Sequence, residues 1–543
     1  MRCRPLAKYR YQRGAIGLVG GLLLLMALLL TALVVDSGRL WMQQKKLQSV
    51  ADMAAIHAAR HLGCDASQQS VAQMAQQAAL NNGFDGQLSA TPNQVLLGKL
   101  NTVQGIRQFS ADGSRGAVYV KATKVVPSSM VAGGLFGGTV SLHAEAVSAS
   151  DPSLATFGVG SFTTNLSSQQ SVLLNGLLGG MLGAPLSLDA LTYRGIAATT
   201  VTLQDILAVS GQSGTVEGLL NTNMQIGDLL DLVASAAARN SLADIQAISA
   251  MQNIANMTIK PATLKLGDVL DVTTPDANAA ATVALNALSV ITTAAMVANG
   301  VNAITLPLGI NIPSITSINA QVTVTEAPKL AIGPAAEGGG ICTSARTAQI
   351  RTRVAVLVNI PLLARIDLAL GMEVAQGSAS LRSIRHNEGD TEVEIEATPG
   401  IAALTLRNSA GTGPARISTL SGLLALADIG LNIPLQPPNA QTVVFTVAHP
   451  TKSHLPLMQS MASPLGSSLQ NALGRSNALT ITVLSVLNLG LINNVISSIV
   501  SPLLAEIGRV LLDPLLSLLG ISLGGMDITL SDVQYRQAKP LVM

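Results

Sequence analysis

The side chains able to do chemistry are few. Six histidines occur: His57, His61, His143, His386, His449 and His454. His57 and His61 stand at i and i+4, which on a helix puts both rings on one face, and Cys64 and Asp65 come directly after. Two imidazoles and a thiolate form a donor set that zinc accepts. The glutamate of an H-E-x-x-H metalloprotease helix is missing, so that zinc chemistry is excluded. The pattern reads instead as a polar helix face beside a cysteine open to oxidation. His386, Glu388 and Asp390 gather around Gly389, but strand-like runs flank them. A solvated hairpin turn is expected there, not an acid–base pair. No G-x-S-x-G nucleophile elbow and no phosphate-cradling loop occur, and the residues before Gly98-Lys99 do not fit one. The expectation is a protein that is not an enzyme, with no catalytic residue, no cofactor and no metal.

Three cysteines are present. Cys3 precedes a long apolar run, and Cys64 and Cys342 lie beyond it. On an oxidising side of a membrane those two can form a disulfide. Two unpaired buried thiols are the alternative, and spacing gives no Cα separation to choose between them. Charged residues make up 11 % of the chain and aromatic ones 2 %, with a net charge of +2. No basic stripe and no set of stacking aromatics exists, which excludes nucleic acid as a partner.

The elements that position these residues begin with an anchor. Residues 14–35 carry no charge, and as a helix they span roughly 33 Å, enough to cross a hydrocarbon core of about 30 Å. The run is longer than a signal-peptide core and no cleavage site clearly succeeds it, so a retained span is expected. Arg2, Arg4, Lys8, Arg10 and Arg13 precede it. Arg39, Lys45 and Lys46 come after it. The larger basic cluster places the N-terminus in the cytoplasm and residues beyond about 36 outside. The helix continues over 36–62, where Leu47, Val50, Ala51, Ala54 and Ala58 share one face. Such a small-residue face packs either onto the chain's own domain or onto a partner helix.

Residues 68–80 repeat helical character and stop at Asn81-Asn82-Gly83. Strands are expected from Gly116 to the break at Pro127, and again through TVSLHAEAVSAS, giving a small α+β unit over 63–150. Residues 151–340 form a Leu/Ala/Gly-rich region, with strand-like pieces around LSLDALTYRGIAATTVTL. Within it Gln225-Ile226-Gly227-Asp228-Leu229-Leu230-Asp231 resembles Lys265-Leu266-Gly267-Asp268-Val269-Leu270-Asp271, with a looser copy at 203–207. The pattern reads as a helix-start signal whose Asp complements the helix N-terminus. Residues 341–543 are strand-rich, with an amphipathic helix over about 491–519. The uncharged stretches 277–325 and 476–505 contain Asn, Ser and Thr and read as buried core, not as further spans. The fold class is α+β: one N-terminal transmembrane helix within 1–62, continuing into an amphipathic helix, then mixed helix and strand domains.

The first sixty residues resemble the N-terminal segment of the TadG-like proteins of Flp (Tad) pilus assembly. The resemblance rests on Gln12-Arg13-Gly14-Ala15-Ile16 before the span and Asp36-Ser37-Gly38-Arg39-Leu40-Trp41 directly after it. It ends with Leu47-Gln48-Ser49-Val50-Ala51-Asp52-Met53-Ala54-Ala55, where the family has alanine in place of Val50 and Met53. Residues 118–150 resemble the next segment of many such proteins, with Val126, Pro127, Phe136 and Gly137 between two strands.

The resemblance implies a structural or accessory role in building adhesive type IVb pili, supporting adhesion and biofilm formation. The implied partners are other Tad pilus-assembly or pilin-like subunits, with membrane lipid around the span. It implies a single-pass protein of the bacterial inner membrane, with its bulk in the periplasm or on the pilus. Prepilin-type processing after Gly14 is not expected, because the fifth residue beyond it is Val19, not glutamate. Some members carry a metal-binding D-x-S-x-S motif, but the runs from Asp65 and from Asp151 both lack the last serine. An envelope module binding lipid or polysaccharide is the alternative suggested by the aliphatic region 152–543.

Overall fold

The computed structural model describes residues 15–535, apart from 63, 65, 104–105, 131–137, 150–151, 161–165, 212–213, 240–243, 258–260, 275–276, 307–314, 337–339, 361–363, 388, 420, 423, 432–438, 449–454, 462–478, 485–488 and 523–524. The basic tip with Cys3, and also Asp65, Phe136, Gly137, Asp151, Glu388, His449 and His454, lie outside the described residues. The chain packs as two compact units, one within 1–62 and 66–151, the other within 63–65 and 152–537. Apart from Cys64, the expected segments 1–62 and 63–150 lie together in the first unit, and 151–340 and 341–543 lie together in the second. The juxtamembrane helix shares one core with the residues that come after it. Strands from either side of 340 pair directly, Ile315–Glu326 with Gln349–Ile360.

In the first unit α1 (Ala15–Arg60) is a single helix of 46 residues, about 69 Å long at 1.5 Å per residue. Its apolar N-terminal part is exposed from Leu18 to Val35. Helix α2 (Gln68–Asn81) starts on a capping box between Ser67 and Ser70, which satisfies backbone donors otherwise left bare at a helix start. It ends at Asn82 and then Gly83, whose φ of 78° needs a residue without Cβ. The strands β1 (Gln94–Val103), β2 (Ile106–Ser110), β3 (Ala117–Pro127) and β4 (Thr139–Ala149) form one antiparallel sheet in the order β2-β1-β3-β4.

The face of α1 formed by Leu47, Val50, Ala51, Ala54 and Ala58 is buried in this unit's own core. It packs with Val71, Ala75 and Ala79 of α2 and with Val118, Val120, Ala122, Ala144 and Ala146 of the sheet. It is therefore not a surface for a partner helix. Its alanines let the helix backbone lie close against β3 and β4, and that approach leaves no room for a second helix.

On the opposite face of the sheet Tyr119 stacks on Phe109 at 5.6 Å between ring centres. Lys121 pairs with Glu145 at 2.9 Å. Burial, with the Glu145 carboxylate beside it, pushes the Tyr119 hydroxyl up to about 12. The folded state thus holds its proton more tightly than the unfolded chain, whose tyrosine titrates near 10. The stabilisation is full below pH ~10 and is lost as pH rises through about 12. Tyr119→Phe should flatten that alkaline loss in pH-dependent urea unfolding, and an unchanged profile counts against the coupling.

The second unit holds an eight-stranded sheet running from Ala303–Leu306 through Ile315–Glu326, Gln349–Ile360, Ala364–Val374, Ala415–Ser418 and Ala425–Leu431 to Leu479–Val483. Ala402–Arg407 also pairs with Ala364–Val374. Helices including Ser168–Leu182, Ile226–Ala238 and Ala287–Asn299 share its main core. A separate core lies between a six-stranded sheet containing Leu154–Val159 and Gly525–Gln534 and a four-stranded sheet containing Ser378–Asn387 and Asp390–Thr398.

The recurring Gly-Asp pattern opens helices. A three-residue strand leads straight into a helix at Thr200–Thr202, Asn223–Gln225, Thr263–Lys265 and Ala284–Asn286. The first pairs with the last and the second with the third. Asp205 accepts from the Thr202 hydroxyl at 2.6 Å, and Asp268 from the Lys265 N–H at 3.0 Å. Both occupy the third helical position, from which Asp268 satisfies the bare Lys265 N–H and Asp205 holds the hydroxyl of the cap residue. The strand-like reading of 186–203 is corrected over Ala190–Ala198, which is helical. Asp189 caps it by accepting from the Thr192 N–H, and Tyr193, Ile196 and Ala197 fall on its buried side.

Among the described residues two helices are long and apolar enough to cross a membrane, Gly17–Arg60 and Ile492–Leu518. The first is wholly exposed over its apolar window, whereas the second buries Val500, Leu503, Leu504, Ile507, Leu511 and Leu515 in the main core of the larger unit. It carries Glu506 paired with Arg509 and is the expected amphipathic helix. The described part of 277–325 contains the thirteen-residue helix Ala287–Asn299, almost entirely buried, and strands of the large sheet.

Candidate functional site: a juxtamembrane clamp

Asp36 and Arg39, the charged members of the D-x-G-R-L signature, sit on α1 just past the exposed apolar stretch. Spaced by three, they reach the same end of the β3–β4 hairpin. The Asp36 carboxylate accepts from the Ser129 hydroxyl and from the Met130 N–H, the latter at 2.9 Å. The Arg39 guanidinium donates to the Pro127 carbonyl through Nη2, and its Nε is buried without a partner. Two turns further on, the Gln44 amide donates to the His143 carbonyl at 2.8 Å, and the Gln48 amide to the Glu145 carbonyl at 2.9 Å. Gln48 also donates to Asp52 at 2.8 Å.

This ladder has a clear physical task. Strand β4 is an edge of its sheet, and carbonyls on its open side would otherwise template pairing with another chain. Gln44 and Gln48 occupy two of them. Asp36 and Arg39 fix the hairpin to the helix immediately beyond its apolar end. The arrangement can hold and orient, and nothing in it is set up to transfer a proton or a group. Ser129 and Met130 were missed by sequence reasoning, and the roles of Pro127, Gln44 and Gln48 went unread. The spacing of Asp36, Gln44 and Gln48 by multiples of four was the available signal. Asp36→Ala should cost about 2 kcal/mol in urea unfolding, because it removes hydrogen bonds to a charged acceptor. A cost below about 0.3 kcal/mol would show the clamp to be ornamental.

The expected chemical residues fall as follows. Cys64 and Cys342 are joined as a disulfide, with Cα atoms 5.5 Å apart, inside the usual range. Cys64 groups with the larger unit, as Cys342 does. With its sulfur so bonded, Cys64 is not a thiolate ligand to complete a zinc site with His57 and His61. Those rings lie 5.0 Å apart, and His57 Nδ1 is buried without a partner. Among the described residues no cluster of three or more His, Cys, Asp or Glu side chains is placed to hold a metal. His386 lies at a hairpin whose turn includes Gly389 at φ 111°. It pairs with the Thr391 hydroxyl at 3.1 Å and stacks on Tyr535 at 4.3 Å.

The long exposed apolar helix joined to a small helix-and-sheet unit defines a membrane-anchor type of N-terminal region. Residues 14–61 match the family model described as Flp pilus-assembly TadE/G-like, and residues 57–148 match the one described as Tad-like Flp pilus-assembly. The N-terminal region is thus of Flp pilus-assembly type, consistent with a TadG-like protein. The two matches meet at the end of α1, and the second stops at the end of β4, so together they cover the first structural unit. Residues 170–296 match a domain of unknown function, DUF8293, over the helices that open on Gly-Asp signals. No curated protein and no solved structure matches the chain.

Proposed function

We propose that this chain is a membrane-anchored, non-catalytic scaffold or accessory subunit of Flp (Tad, type IVb) pilus assembly, acting through protein–protein contacts. The observation that carries the reading is the coincidence of both pilus-assembly matches with one structural unit, in which the anchor helix runs without a break into a folded sheet. In this reading α1 crosses the inner membrane with its N-terminus in the cytoplasm, and the larger unit works in the periplasm or on the pilus. Since the 47–58 face is spent on the unit's own core, contacts with pilin-like subunits fall on other surfaces. The exposed segment from Gly17 to Val35 is one, where Gly17, Gly20 and Gly21 have open space beside them and would admit a close helix–helix approach.

The test is a deletion strain complemented with an epitope-tagged chain. Loss of Flp pili and of surface attachment on deletion, restored by the tagged chain, supports the proposal, and normal piliation overturns it. Fractionation after shearing then separates the two roles. Tag confined to the inner membrane means an assembly factor, and tag in the sheared fraction means a pilus-borne subunit.

A further inference from the structure

In the larger unit a cavity of about 400 Å³ opens between the end of Ile315–Glu326, the end of Ala287–Asn299 and the short strand Ser344–Arg346. That volume is at the small end of the range for small-molecule sites. Lys329 and Arg346 line it and form an isolated antiparallel bridge. The N–H of each donates to the carbonyl of the other, at 3.0 and 3.1 Å. Residues paired in this way project their side chains on the same face, so two cations are held side by side at a cost from their repulsion. Neither has an ion-pair partner among the described residues. Two acids, Asp268 and Glu326, also line the wall, but neither forms an ion pair with Lys329 or Arg346 among the described residues; Asp268 accepts from the Lys265 N–H instead.

A second feature lies in the same wall. The pairing of Ile315–Glu326 with its neighbour shifts register between Val324 and Glu326, which makes Thr325 the extra residue of a β-bulge. Thr325 lines the cavity, and its hydroxyl is buried without a partner. Bulges re-aim side chains at functional sites, and an unpaired buried hydroxyl is a cost the fold carries. The wall is completed by Met296, Val297 and Gly300, and beside Gly300 the space is open.

A guanidinium, an ammonium and a hydroxyl are all donors, and together they suit an oxyanion. We propose that this cavity binds a small organic oxyanion, a carboxylate or phosphate ester of a few carbons. Its oxygens lie against Arg346 and Lys329, its carbon body lies against Met296 and Val297, and the buried Thr325 hydroxyl turns out of the wall to donate to it. Charged residues around the rim make the cavity unsuited to a lipid acyl chain. The proposal is independent of a role in pilus assembly.

The test is titration calorimetry on the full chain in detergent, with inorganic phosphate, glycerol 3-phosphate and succinate as probes. At least one should bind saturably at or below ~1 mM, Arg346→Gln should weaken it about tenfold or more, and added salt should weaken it further. Glycerol 3-phosphate binding more tightly than phosphate means that the carbon body is read, and succinate binding most tightly identifies a carboxylate site. Thr325→Val removes the orphan hydroxyl, so it should weaken binding several-fold while raising the thermal midpoint. That combination distinguishes a ligand contact from damage to the fold. No binding of any probe up to ~10 mM, or binding unchanged in both variants, overturns the proposal.

Discussion

Cys342→Ser will lower the unfolding free energy of the larger unit by about 4 kcal/mol. The bond joins residues 278 apart in sequence, so the reduced chain regains the freedom of a very long loop. Closing such a loop is costly, although the cost grows only with the logarithm of its length. Cα atoms 5.5 Å apart need no backbone movement to be bridged. Urea unfolding of the wild-type chain with and without reductant should show the same shift. The single variants Cys64→Ser and Cys342→Ser and the double variant should be equal, since any of them breaks the same bond. A change below ~1 kcal/mol, or a double variant much weaker than either single one, would contradict this account.

The second large effect is expected in the core of the first unit. Ala54 is fully buried where α1 meets the sheet, and Leu at that position adds three carbons to a site with no space. Overpacking of this kind costs about 3 kcal/mol at the upper end of its usual range. Hydrogen exchange at the amides of β3 and β4 should speed up accordingly in Ala54→Leu. Met53 is exposed, at 44 % of its full surface, and Met53→Leu should change nothing beyond ~0.5 kcal/mol. The readout also discriminates between roles of this helix face. A face serving a partner helix would lose piliation on Ala54→Leu while the exchange of β3 and β4 stayed as in the wild type.

Parts of this architecture were legible because one local rule dominated. The span needed only length and the absence of charge. Helix α2 showed its stop at Asn81-Asn82-Gly83, and β3 and β4 showed alternation, with Pro127 closing the first. The Asp36–Arg39 signature pointed to the right place on the chain. Its task was hidden, because Ser129 and Met130 come close only once the sheet has formed. Strand β1 went unread because Gly98, Lys99 and Asn101 interrupt its apolar alternation, and β2 because its five residues are too few to show one. Ala190–Ala198 was misread because its Thr and Tyr suit strands, while the cap at Asp189 decides otherwise. The grouping of the units depends on pairings across long separations, as between Leu154–Val159 and Gly525–Gln534, and no local pattern encodes those. The cavity was equally out of reach. Lys329 and Arg346 become neighbours through a strand bridge, and the bulge at Thr325 is a matter of register.

The separation of Cys64 from Cys342 also has a consequence in time. During synthesis Cys64 emerges 278 residues ahead of its partner. At about 5–20 residues per second the first thiol waits roughly 15–55 s before the second exists. The only other cysteine is Cys3, which the proposed membrane orientation of α1 places in the cytoplasm, out of reach. A half-made chain that meets an oxidant therefore has one ready mis-pairing, with Cys64 of another copy, and the oxidation that completes the fold must come late.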